Sequence, residues 1–237
     1  RIWWPNKDHI TAEGDGVRMA YTVPSNFVAV GNGTLRNVVT EDGKSTYVWF
    51  VNNPINNYNI SVQIGNYVAV QDTFIKDNTV HSFNHYVLDY NKELASNYFT
   101  QSKEIIRFYE KYFGDYQWYE DGYKLIEVPY LGMEHQSAVT YGNGFSIYNG
   151  VRSKSWPMYG VIDPLIIHET GHEWFGNSVT ASDPTHIWIH EGLQVYSEAI
   201  YFEDKFDSYE VGVHYLNTIK NRIVNKIPIV GRENENH

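Results

Sequence analysis

The chain has no cysteine among its 237 residues, which excludes disulfide bonds and catalysis by a thiol. Basic residues are few as well, because 18 Lys and Arg stand against 28 Asp and Glu, for a formal net charge of −10. No basic cluster can neutralise phosphates, so the composition argues against nucleic-acid binding. The Lys and Arg residues are scattered, which argues against an anionic membrane surface. No apolar run approaches the roughly 18 residues of a membrane span.

The first part of the chain has the period of β-structure. Up to about residue 87, short alternating runs are separated by turn residues and predict an antiparallel β domain. Asp42-Gly43 lies between two such runs and is a strong hairpin signal. The predicted strands are residues 17–23, 27–30, 36–40, 46–51, 61–70 and 80–88.

From about residue 91 the hydrophobic period changes. Apolar residues between 94 and 113 suit one long helix, with Gly114 as its C-cap. Asp163-Pro164, an N-cap residue followed by proline, predicts the start of a second helix. The other predicted elements are strands at 123–128, 133–141 and 145–148 and helices at 188–203 and 207–224.

The pattern H-E-x-x-H at residues 168–172 indicates a metal site. At about 100° per residue of helix, positions four apart lie roughly 40° from each other, so His168 and His172 can direct their imidazoles at one ion. Glu169 lies beside them and can reach a water on the metal without being a ligand. The alternative is a pair of hydrogen-bonded histidines on a half-buried helix face.

A third metal ligand must come from another segment, and Glu191 is the natural candidate. It opens a periodic segment that can pack antiparallel against the helix with the H-E-x-x-H pattern. Two His and one Glu leave the fourth tetrahedral position for water, as in catalytic rather than structural zinc sites. Glu198, two turns further on the same face, could accept a hydrogen bond from the non-coordinating nitrogen of a ligand His. A surface Glu is an equal alternative for this residue.

Glu134 lies about thirty residues upstream of the H-E-x-x-H pattern, in an extended segment flanked by glycine. Pro129 in the preceding strand-like run suits a strand at a sheet edge. An edge strand beside a metal site can hold a peptide by main-chain hydrogen bonds, and the Glu134 carboxylate could pair with a free α-ammonium group. On the sequence alone, a solvent-facing Glu is the better reading.

These motifs together resemble the aminopeptidase N family of zinc metallopeptidases, the relatives of leukotriene hydrolase. The similar features are Gly-Met-Glu-His at residues 132–135, the H-E-x-x-H pattern, and a Glu nineteen residues after the second His. Residues 172–177 (H-E-W-F-G-N) are similar to the family's H-Q-W-F-G-N, and residues 188–193 (W-I-H-E-G-L) to its W-L-N-E-G-F. The resemblance runs over essentially the whole chain and is specific from about residue 128 to residue 198.

The resemblance implies a zinc peptidase that removes the first residue of a peptide. It implies one zinc ion held by His168, His172 and Glu191. Glu169 would be the general base, taking a proton from water on the metal as that water attacks the peptide carbonyl and returning it to the leaving amine.

The resemblance also implies how the substrate is held. Glu134 would bind the free amino terminus of a peptide substrate, with Gly132 and Met133 as further substrate-binding residues. Two residues depart from the family pattern. His135 replaces the usual Asn, so contacts around the scissile bond are expected to differ, and Glu173 replaces the common Gln, a modest change.

The resemblance implies an α+β fold in two incomplete parts. Residues 1–87 would be the later part of an amino-terminal antiparallel β domain. Residues 88–237 would be the first part of a thermolysin-like zinc metallopeptidase domain that lacks its carboxy-terminal helical half. The chain then looks like an internal fragment, with the family's oxyanion-binding Tyr beyond its end. We expect the isolated chain to bind zinc but to cleave aminoacyl reporters very poorly.

Two rival functions fit the same motifs. A zinc endopeptidase would use the metal site without any contact between Glu134 and an ammonium group, and it would cleave amino-terminally blocked peptides. A non-catalytic zinc-binding scaffold would bind the metal without turnover.

Overall fold

The structure is a computed structural model that describes residues 3–7, 9–146, 162–220, 222–224, 226 and 228–230. The last two residues of the strand predicted at 145–148 lie outside this part of the chain. Its first residue, Phe145, has a φ of 53°, so the prediction is wrong there. No helix in the described part of the chain has both the length and the apolar character needed to cross a membrane.

The described residues form fourteen strands, most of them short. They are β1 (Glu13–Gly14), β2 (Val17–Pro24), β3 (Val28–Gly31), β4 (Thr34–Glu41), β5 (Lys44–Val51), β6 (Ile55–Asn56), β7 (Val62–Gly65), β8 (Tyr67–Val70), β9 (Thr73–Lys76), β10 (Thr79–Ser82), β11 (His85–Leu88), β12 (Leu125–Glu127), β13 (Gly132–Met133) and β14 (Val139–Tyr141).

The hairpin predicted at Asp42-Gly43 is confirmed. Strands β4 and β5 pair antiparallel up to Glu41 opposite Lys44, and β2 lies on the other side of β5. Asp42 and Gly43 have φ of 49° and 73°, the left-handed values that a tight two-residue turn requires.

A second, five-stranded sheet has the strand order β13-β14-β12-β11-β8. Strands β11 and β12 pair in parallel, as do β12 and β14, whereas β8 and β13 are antiparallel to their neighbours. The sheet therefore combines strands from before and after residue 88. The domain division at residues 87 and 88 stays a prediction.

Three predicted strands are each two separate elements. The run 61–70 divides into β7, which pairs with β3, and β8, which pairs with β11. The run 80–88 divides into β10 and β11 in different sheets. The run 133–141 is interrupted at Ser137, whose φ is 58°. An alternating pattern does not reveal where a strand leaves one partner for another, because both halves keep the same period.

Five α-helices lie among the described residues, and the α+β class is confirmed. They are α1 (Lys92–Tyr98), α2 (Gln101–Phe113), α3 (Pro164–Gly171), α4 (Trp188–Phe206) and α5 (Tyr209–Lys220). The prediction of one long helix over 94–113 is wrong, because α1 and α2 are separate. Between them, the hydroxyls of Thr100 and Ser102 donate to carbonyls of the preceding turn, which competes with the helical pattern.

Two apolar clusters hold these layers together. The larger packs α2, α3 and α4 against the five-stranded sheet and buries Phe99, Ile106 and Ile166 completely. The smaller lies between that sheet and the preceding strands, around Trp49 and Ile126. Burial of such side chains stabilises the fold by about 1.5–3 kcal/mol each, so the sheet and the helices that carry the site are rigidly supported.

Candidate metal centre

Helix α3 begins as predicted and positions the two histidines. Asp163 is the N-cap, and its Oδ1 accepts from the Leu165 amide at 2.9 Å. Tyr98 and Tyr141 donate hydroxyl hydrogen bonds to the other oxygen of Asp163, at 2.8 and 2.7 Å. The cap is buried and fully bonded, which fixes the helix two turns before His172.

The structure brings the three predicted ligands together. The Nε2 atoms of His168 and His172 are 3.1 Å apart. Oε2 of Glu191, in the first turn of α4, lies 3.5 Å from Nε2 of His168 and 3.7 Å from Nε2 of His172. Ligands of a tetrahedral zinc with bonds of about 2.0–2.1 Å are about 3.3 Å apart. The three atoms therefore have the spacing that a zinc-sized ion needs.

The hydrogen bonds of the two histidines direct both Nε2 atoms at the same point. Nδ1 of His172 donates to the Phe175 carbonyl at 2.8 Å, which leaves its Nε2 with a bare lone pair. Nδ1 of His168 bonds to Oε1 of Glu198 at 2.6 Å, so the predicted contact with Glu198 is present. Glu198 is buried, which raises its pKa, while the His168 bond opposes that shift.

The arrangement calls for a positive charge between these groups. Burial lowers the pKa of His172 to about 4, so its imidazole is neutral. Burial also acts to lower the pKa of His168, but its bonds to Glu191 and Glu198 outweigh burial and raise that pKa well above the usual range. Without metal, a proton on His168 supplies the charge. A divalent cation can take its place and release that proton, so the donor set fits a metal ion.

Glu169 is buried beside the three donors. Burial raises the pKa of its carboxyl to about 8, and a bound cation would oppose this shift. A Cβ atom at Gly132 would lie 2.5 Å from Oε1 of Glu169. A side chain at this position of β13 would therefore displace the Glu169 carboxylate.

Glu134 directly follows β13 and is buried, so the expectation of a solvent-facing side chain is wrong. Oxygen atoms of Glu134 and Glu169 and a nitrogen of His172 lie within 4.8 Å of one another. Burial raises the pKa of Glu134, and the nearby charge of Glu191 adds to this shift. A cavity of about 350 Å³ opens at this residue and is also lined by Tyr58 and Met133.

Two further histidines line the cavity. His135, which stands where the resembled family has Asn, has a buried Nδ1 without a hydrogen bond to any described residue. His190, next to Glu191, accepts from the Ala181 amide through Nε2 at 3.0 Å. Neither belongs to the groups of possible metal ligands found among the described residues.

Sequence reasoning missed the residues that hold the Glu134 segment. Lys124, Ser137 and Asn177 are all buried there. Lys124 lies in a strand-like run and Ser137 in an apparently continuous strand, so neither has a sequence signal. Asn177 ends the H-E-W-F-G-N motif, which could have singled it out.

A pair of histidines and a glutamate, with a buried carboxylate beside them, is the donor set of a hydrolytic metal centre. The family model described as "Peptidase family M1 domain" matches residues 98–228, more than half of the chain. The chain therefore belongs to peptidase family M1.

Similar proteins include endoplasmic reticulum aminopeptidase 2 of Homo sapiens, 31% identical over 140 residues that cover 54% of this chain and 14% of that protein. Puromycin-sensitive aminopeptidase of Caenorhabditis elegans is 25% identical over 203 residues, which cover 82% of this chain and 21% of that protein. The chain thus spans less than a quarter of either relative.

The fold is that of a solved structure as well. The crystal structure of the M1 zinc metallopeptidase from Deinococcus radiodurans superposes with a TM-score of 0.72 at 17% identity. The match covers 90% of this chain and 46% of that one. The α+β architecture is therefore shared over nearly the whole chain.

Proposed function

We propose that this chain carries the catalytic centre of a zinc-dependent aminopeptidase, an enzyme that releases amino-terminal residues from peptides. The observation that carries the proposal is the convergence of three metal donors with two buried carboxylates, Glu169 and Glu134. The three donors supply a metal site. The two carboxylates supply the other groups that such a reaction needs, a general base and a partner for the amino terminus. The family membership and the aminopeptidase relatives support the same reaction.

His168, His172 and Glu191 would hold the zinc ion. Zinc in that position supplies Lewis acidity, which acidifies water and polarises the substrate carbonyl. Glu198 holds His168 through Nδ1 and keeps Nε2 directed at the ion.

Glu198→Ala should weaken zinc binding by about 10- to 100-fold, because the ring of His168 loses the bond that orients it. Zinc affinity is measured by competition with a chelator in the full-length natural protein. Glu203→Ala, on the same helix and outside the metal-donor groups, is the matched control. Unchanged affinity in Glu198→Ala would show that the contact does not orient the ligand.

Glu169 would act as the general base. Its carboxylate lies within 4.8 Å of a His172 nitrogen, close enough to take a proton from an attacking water at the metal site. The same carboxyl then returns the proton to the leaving amine. Burial keeps bulk water away from the carboxyl, which favours proton transfer to the substrate over loss to solvent.

Glu134 would pair with the ammonium group of the substrate and so select peptides with a free amino terminus. Its buried carboxylate has no cationic side chain bonded to it among the described residues. An ammonium group would supply the missing charge, and its place beside Glu169 would put the first peptide bond at the metal site.

Glu134→Ala should reduce kcat/KM for free-amine peptides by about 30- to several thousand-fold, because removal of one partner of a desolvated charge pair costs about 2–5 kcal/mol. Zinc content should not change. The measurement compares free and N-acetylated forms of one peptide in the full-length protein, with the exposed Glu41→Ala as control.

The outcomes separate the rival functions. Equal losses on the free and acetylated peptides would support an endopeptidase, and efficient cleavage of the acetylated peptide by the wild type would do the same. Stoichiometric zinc without turnover of either peptide by the wild type would support a non-catalytic scaffold.

A further inference from the structure

Hydrogen bonds connect the backbone around Glu134 to the turn that follows α3, the metal-site helix. Nδ2 of Asn177 donates to the Glu134 carbonyl at 2.9 Å. Oδ1 of Asn177 accepts from Nδ2 of Asn59 at 2.7 Å and from the Tyr58 hydroxyl at 3.2 Å. The amide of Asn177 is thus held on both sides, and its orientation toward Glu134 is fixed.

A second set of hydrogen bonds holds the same segment three residues later, at Ser137. Ser137 has a left-handed φ of 58°, a conformation that is unfavourable for a non-glycine residue and persists only where surrounding contacts enforce it. Its amide donates to Oε1 of Glu173 at 2.8 Å, and its Oγ accepts from the Gly33 amide at 2.9 Å. Both contacts are buried.

A buried lysine bonds to the carbonyl side of Ser137. Nζ of Lys124 donates to the Ser137 carbonyl and to the Gly33 carbonyl, each at 2.7 Å. Ser137 therefore lies between the Glu173 side chain on its amide side and the Lys124 side chain on its carbonyl side. Buried polar groups are stable when they are hydrogen-bonded in this way.

Both sets of hydrogen bonds involve a residue that is adjacent in sequence or hydrogen-bonded to His172. Glu173 follows this histidine directly, and the Asn177 amide donates to the His172 carbonyl at 2.9 Å. Glu173 and Asn177 also contact each other, through Oε2 and Nδ2 at 3.3 Å. The two side chains therefore connect the segment 134–137 to the backbone of the metal-site helix.

We propose that Glu173 and Asn177 are positioning residues that fix the distance between the Glu134 carboxylate and the metal site, and thereby the position of the cleaved bond. This proposal rests on the proposed function. The Glu134 carboxylate would mark where the substrate begins and the metal site where it is cut, so their separation sets how many residues are released. Misplacement by about 1 Å is enough to cost roughly 100-fold in a positioned reaction.

The test uses Asn177→Ala and Glu173→Ala in the full-length protein, with a free-amine peptide and its acetylated form. We expect wild-type zinc content in both variants. KM for the free-amine peptide should rise about ten-fold, as for the loss of one buried hydrogen bond, with a smaller change in kcat. The products should include dipeptides as well as single residues, which mass spectrometry detects.

Two further variants separate positioning from general loss of stability. Glu173→Gln keeps an oxygen that can accept from the Ser137 amide and should restore single-residue release. Tyr201→Phe removes the hydrogen bond from a buried tyrosine on α4 to the Glu104 carboxylate on α2 and should release single residues as the wild type does. Hydrogen exchange should show faster exchange of the Ser137 amide in Glu173→Ala, with α3 still protected.

The proposal is overturned if the wild type releases single residues and Asn177→Ala does so with unchanged KM. This variant decides the question even if Glu173→Ala, which leaves the buried Ser137 amide without its acceptor, fails to fold. A wild-type protein that releases no amino-terminal residue would instead overturn the proposed function, whatever the variants do.

Discussion

Glu169→Gln should retain one zinc ion per chain and slow peptide hydrolysis by about 10²- to 10⁴-fold. The glutamine side chain has nearly the same shape as glutamate, so the contact with Gly132 and the packing of α3 should survive. It has no basic oxygen at neutral pH, so the proton of the attacking water has no acceptor in the buried site. The loss should appear in kcat, since no substrate or metal contact is removed.

The measurement is steady-state hydrolysis of a free-amine peptide by the full-length protein, with zinc counted by atomic absorption. Glu93→Gln removes the same charge from an exposed position on α1 and is the matched control. Wild-type turnover by Glu169→Gln would exclude this residue as the base. A simultaneous loss of zinc would show that it has a structural part in the metal site.

The approach of the two histidines to each other was predictable because it depends on helix geometry alone. His168 and His172 are four residues apart on α3, and Asp163-Pro164 marks the start of that helix. Glu191 was predictable for a different reason. The donor set of catalytic zinc requires a third ligand, and a second helical pattern begins close to it.

The environment of Glu134 could not be predicted in the same way. Its burial depends on α3, on the strand β14 and on Asn177, which approach it only after the chain has folded. The left-handed Ser137 and the buried Lys124 depend on contacts with Gly33, about a hundred residues away in sequence. Periodicity reports which face of one element is apolar, and it carries no information about such contacts.

The breaks in the predicted long elements have a similar cause. Phe99 and Phe83 are fully buried at the points where the chain changes direction. A buried aromatic residue continues an apolar pattern, so the turn is hidden in it. The Asp42-Gly43 turn was visible because its residues favour positive φ and are exposed.

His172→Ala should abolish stoichiometric zinc binding and, with it, peptide hydrolysis. The imidazole would supply one of three donors, and its Nε2 lies within 3.7 Å of both other donor atoms, so its removal leaves two donors of the proposed set. The loss of affinity should exceed the roughly 100-fold expected from removing the outer contact of Glu198.

His168→Ala and Glu191→Ala should weaken zinc binding in the same direction, with Glu191→Ala least disruptive to the fold, because its side chain is half exposed. His168→Ala also leaves Glu198 buried without its partner, so a lower thermal stability should accompany the lost metal. His214→Ala, which removes an exposed imidazole from α5, is the control for loss of a histidine. Zinc is measured per chain after dialysis against a weak chelator. One zinc ion per chain retained by His168→Ala or by His172→Ala would mean that the ion is bound elsewhere, and the ligand assignment would then be wrong.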